Sequence, residues 1–358
     1  DDKTADEPVW NGDNYVTAFS LTVGEAIYEA VVHDGRITVD VPYDASLDGA
    51  EVHYELCEHA SIHPDPATIR DWSQEWQFLV SSYGQSDRTY IYTVNRTDVA
   101  TGGSLTLRTQ AEVDAFAASR INVVEGNLTI GVEGGEAIVN LDGLAGLVSV
   151  RCDLTVTNAY RGEDLAGLAG LRRCESLRIG SAGAPHETLK RIELPALREV
   201  AGDLQLCGAA VRAVAFAALQ RVDGAFAVGS DALAEIVADE LEAVGGDMRL
   251  AGSTGNAAKA PCEQMYFPKL QRVGGELSVV RFGRLGQLAT TFGALASVGS
   301  IAYEELALTS SCEFPLIETV GAVELTDCPA LRTISLPRLA AAGSFSVEGC
   351  PAVETEIG

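Results

Sequence analysis

Apolar and polar residues alternate with period two through the first hundred residues. The runs are Val16–Val23, Arg36–Val41, Glu51–Leu56, Gln77–Val80 and Thr89–Val94. Such alternation, bounded by turn residues, predicts half-buried strands. His33-Asp34-Gly35-Arg36 supplies an Asp-Gly hairpin turn. Strands this short and this closely spaced predict a small β-sandwich over 11–97. Asp98-Val-Ala-Thr-Gly102-Gly103-Ser104 reads as the start of a linker over 98–108. Thr109-Gln-Ala-Glu112 then forms a capping box, with Val113, Phe116 and Ala117 at helical spacing, so a short helix is expected over about 110–118.

Beyond that point a different pattern takes over. The string V-x-G-x-L-x-I recurs as Val124–Ile130, Val200–Leu206, Val222–Val228, Val244–Leu250 and Val273–Val279. Cys152 takes the glycine position in Val150–Val156, and Ala341–Val347 is a late copy. Degenerate copies centre on Leu177, Ile301 and Val323. The central apolar positions are Leu128, Leu154, Leu177, Leu204, Phe226, Met248, Leu277, Ile301, Val323 and Phe345. Their separations are 26, 23, 27, 22, 22, 29, 24, 22 and 22, so the base period is 22. The better copies continue as L-x-x-I-x-L-P-x-L-x-x-V, as in Leu189–Val200 and Leu331–Leu339.

The alternating half of each copy places its apolar residues on one face of a strand. A single copy cannot bury that face, whereas stacked copies share one continuous core. The expected fold is therefore mainly β: a sandwich followed by a β-solenoid of about ten repeats over 109–358, with the short helix covering its first core face.

Two resemblances sharpen this. Ser61–Trp72, Phe78–Val80 and Tyr90–Val94 resemble the Ig-like N-terminal sandwiches of Bacteroides surface lipoproteins. The V-x-G-x-L-x-I and L-P-x-L-x-x-V strings resemble the receptor L domain, a right-handed leucine-rich-repeat-type solenoid found in growth-factor and insulin receptor ectodomains and in bacterial surface proteins. No Asn recurs at the strand end, unlike in the commoner leucine-rich repeat. The resemblance implies export, lipid anchoring at the outer membrane and display at the cell surface.

Charge narrows the partners. The chain of 358 residues carries a net charge of −26, which repels nucleic acid and anionic head groups. The start, Asp1–Pro8, is polar, and residues 1–10 read as a disordered stalk. No metal or cofactor is expected: there is no CxxC, no calcium-loop spacing, and His59 and His63 fall on a stretch that runs into Pro64 and Pro66 and reads as a loop. No GxSxG elbow is present. Outward acids of the main sheet (Asp153, Asp203, Asp247, Glu276, Glu324) are interleaved with Thr155, Gln205, Arg249 and Ser278, as on a solvated face. Cys152 and Cys174, and Cys328 and Cys350, are 22 apart, which suits stacked thiols or disulfides on adjacent rungs.

Steps longer than 22 mark insertions at 157–164, 180–188, 251–266 and 280–287, all following the main strand. Insertions at one point of a repeat gather at one edge, which is often the binding edge. Tyr160, Arg161, His186, Tyr266, Arg281, Phe282 and Arg284 are the amphipathic or cationic groups there, and are the expected binding residues. The function expected is non-catalytic recognition of an extracellular protein or glycan. A carbohydrate-active enzyme on a β-helix and a structural spacer are the alternatives.

Overall fold

A computed structural model describes residues 13–24, 26–43, 45–181, 183–253, 259–286 and 291–353. The expected stalk lies outside these residues. The chain divides into two compact units, Asp1–Val99 and Ala100–Gly358.

The alternating runs of the first unit become strands. They form one seven-stranded order: Glu51–Leu56, Val16–Val23, Ala26–His33, Arg36–Pro42, Asp87–Thr97, Trp76–Ser81, Ser61–His63. Neighbours are antiparallel except Arg36–Pro42 and Asp87–Thr97, which run parallel. The Asp-Gly turn forms as expected, with Asp34 and Gly35 both at positive φ (49° and 73°) and His33 opposite Arg36. The core gathers Phe19, Trp72, Phe78 and Tyr92, with Trp72 and Tyr92 edge-on at 5.1 Å. His63 lies in the edge strand Ser61–His63, where a loop was expected; its backbone pairs with Leu79.

In the second unit the copies stack. Leu105, Leu128, Leu154, Leu177, Leu204, Phe226, Met248, Leu277, Ile301, Val323 and Phe345 pair in parallel register from rung to rung. The ten positions expected from the repeat align, and Leu105 precedes them. Leu105–Leu107 therefore belongs to the first rung, although 98–108 reads as a linker; Ser104, Thr106 and the glycines mask its single L-x-L. All of the file but Leu105 and Phe345 is buried.

On the return path a second, shorter sheet forms from Arg191–Glu193, Ala213–Ala215, Glu235–Val237 and Gln264–Tyr266, with a further pair at Ser311–Glu313 and Thr333–Ser335. Earlier coils use 3-10 turns there, Asp142–Leu144 and Ala166–Leu168. Between the sheets, Phe226, Phe267, Phe292 and Phe314 follow one another at centroid distances of 6.1, 5.8 and 6.4 Å.

A helix, α1 (Gln110–Ser119), begins at Thr109, whose hydroxyl accepts from the Glu112 amide at 3.1 Å. The Glu112 carboxylate accepts from the Arg108 amide at 2.5 Å, closing the start of the helix. Val113 and Phe116 of α1 are buried within the solenoid core.

The main strand is broken in the early coils. Val and the L-x-I segment form separate strands, for example Arg221–Val222 and Phe226–Gly229. The glycine between them packs on the coil before: a Cβ on Gly224 would stand 2.7 Å from the carbonyl carbon and oxygen of Gly202. In three coils the residue after the glycine uses its side chain to bond the next coil. Asn127 Oδ1 accepts from the Asp153 amide (3.1 Å), Asp203 Oδ1 from Ala225 (2.9 Å) and Asp247 Oδ1 from Glu276 (2.9 Å).

Candidate functional site

The insertions do gather on one edge, but they are not simple decoration. Their residues form bridges between coils: Ile138 with Tyr160, His186 with Gly208, and Ala260 with Phe282. Each pair is 22 residues apart, so these are further rung positions and their apolar sides turn inward.

Three of the seven expected binding residues are therefore interior. Tyr160 and Phe282 are buried in the core. The Tyr160 hydroxyl donates to the Asp164 carbonyl, and burial raises its pKa. His186 is fully buried. Its Nε2 faces the Thr157 carbonyl at 3.2 Å and its Nδ1 accepts from the Leu189 amide at 3.4 Å. That pair of partners fixes the neutral ring with its proton on Nε2. Burial pushes its pKa down to about 4, the hydrogen bond to Thr157 opposing this.

The other four reach the surface. Arg161 pairs with Glu187 at 2.5 Å. Arg281, in the left-handed region at φ 62°, pairs with Glu305 at 3.1 Å. Arg284 meets Glu263 at 3.4 Å. Tyr266 is 51% exposed, in contrast to the buried phenylalanines of the same unit.

Two grooves flank this edge. The first, of about 590 Å³, lies against the second sheet and brings Tyr266 and Arg284 together with Glu235, Glu263, Gln264 and buried Thr291. Strand pairing sets Glu235 beside Gln264 and Val237 beside Tyr266. The rim thus offers an aromatic ring, an amide, two carboxylates and a guanidinium.

The second groove, of about 370 Å³, lies on the outer face of the main sheet. Gln205, Ala227 and Arg249 occupy successive rungs of one outward file; Cys207, Gly229 and Ala251 occupy the next. Ser253 and Arg281 stand at the end of these strands and complete the lining. Gln205 and Arg249 were visible in the sequence as outward positions, but nothing there showed that small residues beside them leave a hollow.

The acidic row does not converge. Asp153 pairs with Arg178 at 3.2 Å, Asp203 and Asp247 hold backbone amides, and Glu324 sits between Ala302 and Ser346. All eight cysteines are free thiols. Cys174 stands opposite Val150, not Cys152, because its coil is one residue shorter between the two strand segments. Burial pushes the Cys174 and Cys262 thiols up to about 12, which suppresses the nucleophilic thiolate. Compared with known proteins, the sequence matches no family model and no curated protein.

Proposed function

We propose that this chain is a non-catalytic binding or adhesion protein that recognises a protein or glycan through the insertion-bearing edge of its solenoid. The observation that carries the reading is the groove around Tyr266. A half-exposed tyrosine stands there among groups that donate and accept hydrogen bonds, on a unit whose other tyrosines, Tyr160 and Tyr303, lie inside. Rigid aromatic rings with a polar tip, ringed by such groups, are common anchors of recognition surfaces.

In this reading the first unit is an Ig-like sandwich that holds the solenoid outward, and α1 covers the open face of the first coil. The solenoid is a right-handed, receptor-L-like coil. Export and lipid anchoring at a bacterial outer membrane come from the resemblance alone. No described helix is long and apolar enough to cross a membrane.

A carbohydrate-active enzyme is the second reading, favoured by the presence of Glu235 and Glu263 in one groove. Both are exposed, whereas a glycosidase acid needs surroundings that favour its protonated form. The test is a glycan-array and protein pull-down screen with the full chain and with Tyr266→Ala. Binding that weakens about tenfold in the variant supports recognition at this groove. Hydrolysis of a bound glycan, lost in Glu235→Gln, would replace the proposal with the enzyme. Absence of any ligand would leave a spacer.

A further inference from the structure

We infer that the groove on the outer face of the main sheet is a second ligand site, built for a sugar acid. This deepens the binding reading and rests on it.

The argument begins with charge. The chain carries 51 acids against 25 Lys and Arg, yet among the described residues no carboxylate lines this groove; its charged lining residues are Arg249 and Arg281. Arg281 is committed to Glu305. Arg249 is exposed and makes no ion pair or hydrogen bond among the described residues. Its register neighbours, Ala227 and Ser278, carry no charge to meet it. An unpaired guanidinium at a concave surface is a binding point for a carboxylate, which it meets with two parallel hydrogen bonds.

Geometry then limits what carries that carboxylate. Gln205 stands two rungs from Arg249 with Ala227 between them, and its amide is likewise without a partner among the described residues. Two rungs span about 10 Å. A pyranose ring laid over Ala227 would present its carboxylate to Arg249 and its far hydroxyls to Gln205, whose amide both donates and accepts.

The second outward file supplies the depth. Gly229 lies between Cys207 and Ala251, and a Cβ there would meet nothing nearer than the Cys207 Sγ and the Ala251 Cβ, each at 3.9 Å. The protein itself therefore does not require glycine at this position; the space serves the groove. At about 370 Å³ the hollow is at the small end of ligand pockets, enough for one or two sugar rings and too small for a protein interface.

Calorimetric titration of the full chain with trigalacturonic acid tests this, with its methyl ester and an oligoglutamate peptide as comparisons. The acid is expected to bind, the ester at least about tenfold more weakly, and the peptide not at all. Arg249→Gln, which removes the guanidinium, and Gly229→Leu, which fills the floor, should each weaken uronate binding by about tenfold or more with an unchanged melting temperature. Arg284→Gln, in the other groove, should leave it unchanged. No uronate binding at millimolar concentration, or wild-type affinity in both groove variants, would overturn the inference. So would equal, Arg249-dependent binding of the peptide, which would make the site one for acidic protein segments. A ligand from the screen that depends on Tyr266, with no uronate binding, would sink this inference and leave the broader reading standing; a screen empty of ligands would sink the broader reading.

Discussion

The early and late coils of the solenoid solve the same packing problem with different backbones. From Val124 to Val244, most coils have a spacing of four from the valine to the central apolar residue, as in Val222 and Phe226. The extra residue breaks the strand in two, and Asn127, Asp203 and Asp247 compensate by taking the amide left without a sheet partner. In the last three coils the spacing is three (Val298 to Ile301, Val320 to Val323, Ala342 to Phe345), and each strand runs unbroken: Ser297–Glu304, Thr319–Thr326, Ala341–Glu348. Arg272–Val280 is the transition, with a register shift between Val273 and Glu276. The Cys174 coil is short as well, but it stays broken because both neighbours carry the extra residue. Continuity of a strand in a stack is thus a property of neighbouring coils together.

The comparison can be broken first in the core. Phe226→Ala, within the early stack, should lower unfolding stability by about 3–5 kcal/mol. Phe345→Ala, half-buried in the last described coil, should cost under half as much, since part of its ring already meets water. Denaturant titration of both variants checks this.

Acid acts on the early insertion edge. His186 is neutral in the fold, with its pKa at about 4, while the unfolded chain takes up a proton near 6.5. Its contribution is therefore complete above pH 6.5 and shrinks as pH falls towards 4, by up to about 3 kcal/mol. His186→Gln should flatten that part of the wild-type stability profile. An identical slope in both proteins would show that the ring is not held neutral.

A smaller effect separates the two backbones directly. Asp203→Ala or Asp247→Ala leaves a strand-break amide without its acceptor and should cost about 1–3 kcal/mol. Amide exchange at Ala225 should rise in the Asp203 variant. Ser344→Ala, at the equivalent place in an unbroken strand, should change stability by less than about 0.5 kcal/mol.

The stacking was legible because apolar spacing dictates it: a period of 22 survives every insertion, and Leu128 to Phe345 lie where that period places them. The strand break was not, because V-x-G-x-L reads as uninterrupted alternation until the neighbouring coil is known. For the same reason Ala341 reads as the counterpart of Val320, which in fact pairs with Ala342. In the site, Tyr160, His186 and Phe282 read as loop decoration because glycine, proline and polar residues surround them. Their separation by one period from Ile138, Gly208 and Ala260 was the overlooked signal. Tyr266 and Arg284 do share a groove, but its carboxylates come from a neighbouring strand and from Glu263, a convergence that only the stacked coils produce.

Cross-linking tests the register itself. Thr129 and Thr155 are paired on adjacent coils, about 4.8 Å apart, whereas Thr129 and Arg178 are two coils apart. Mild oxidation of Thr129→Cys/Thr155→Cys should give that disulfide in nearly every molecule, mapped by mass spectrometry, while Thr129→Cys/Arg178→Cys should give none. Equal yields from the two double variants, or a link only in the second, would contradict a stack in which each repeat sits directly on the one before.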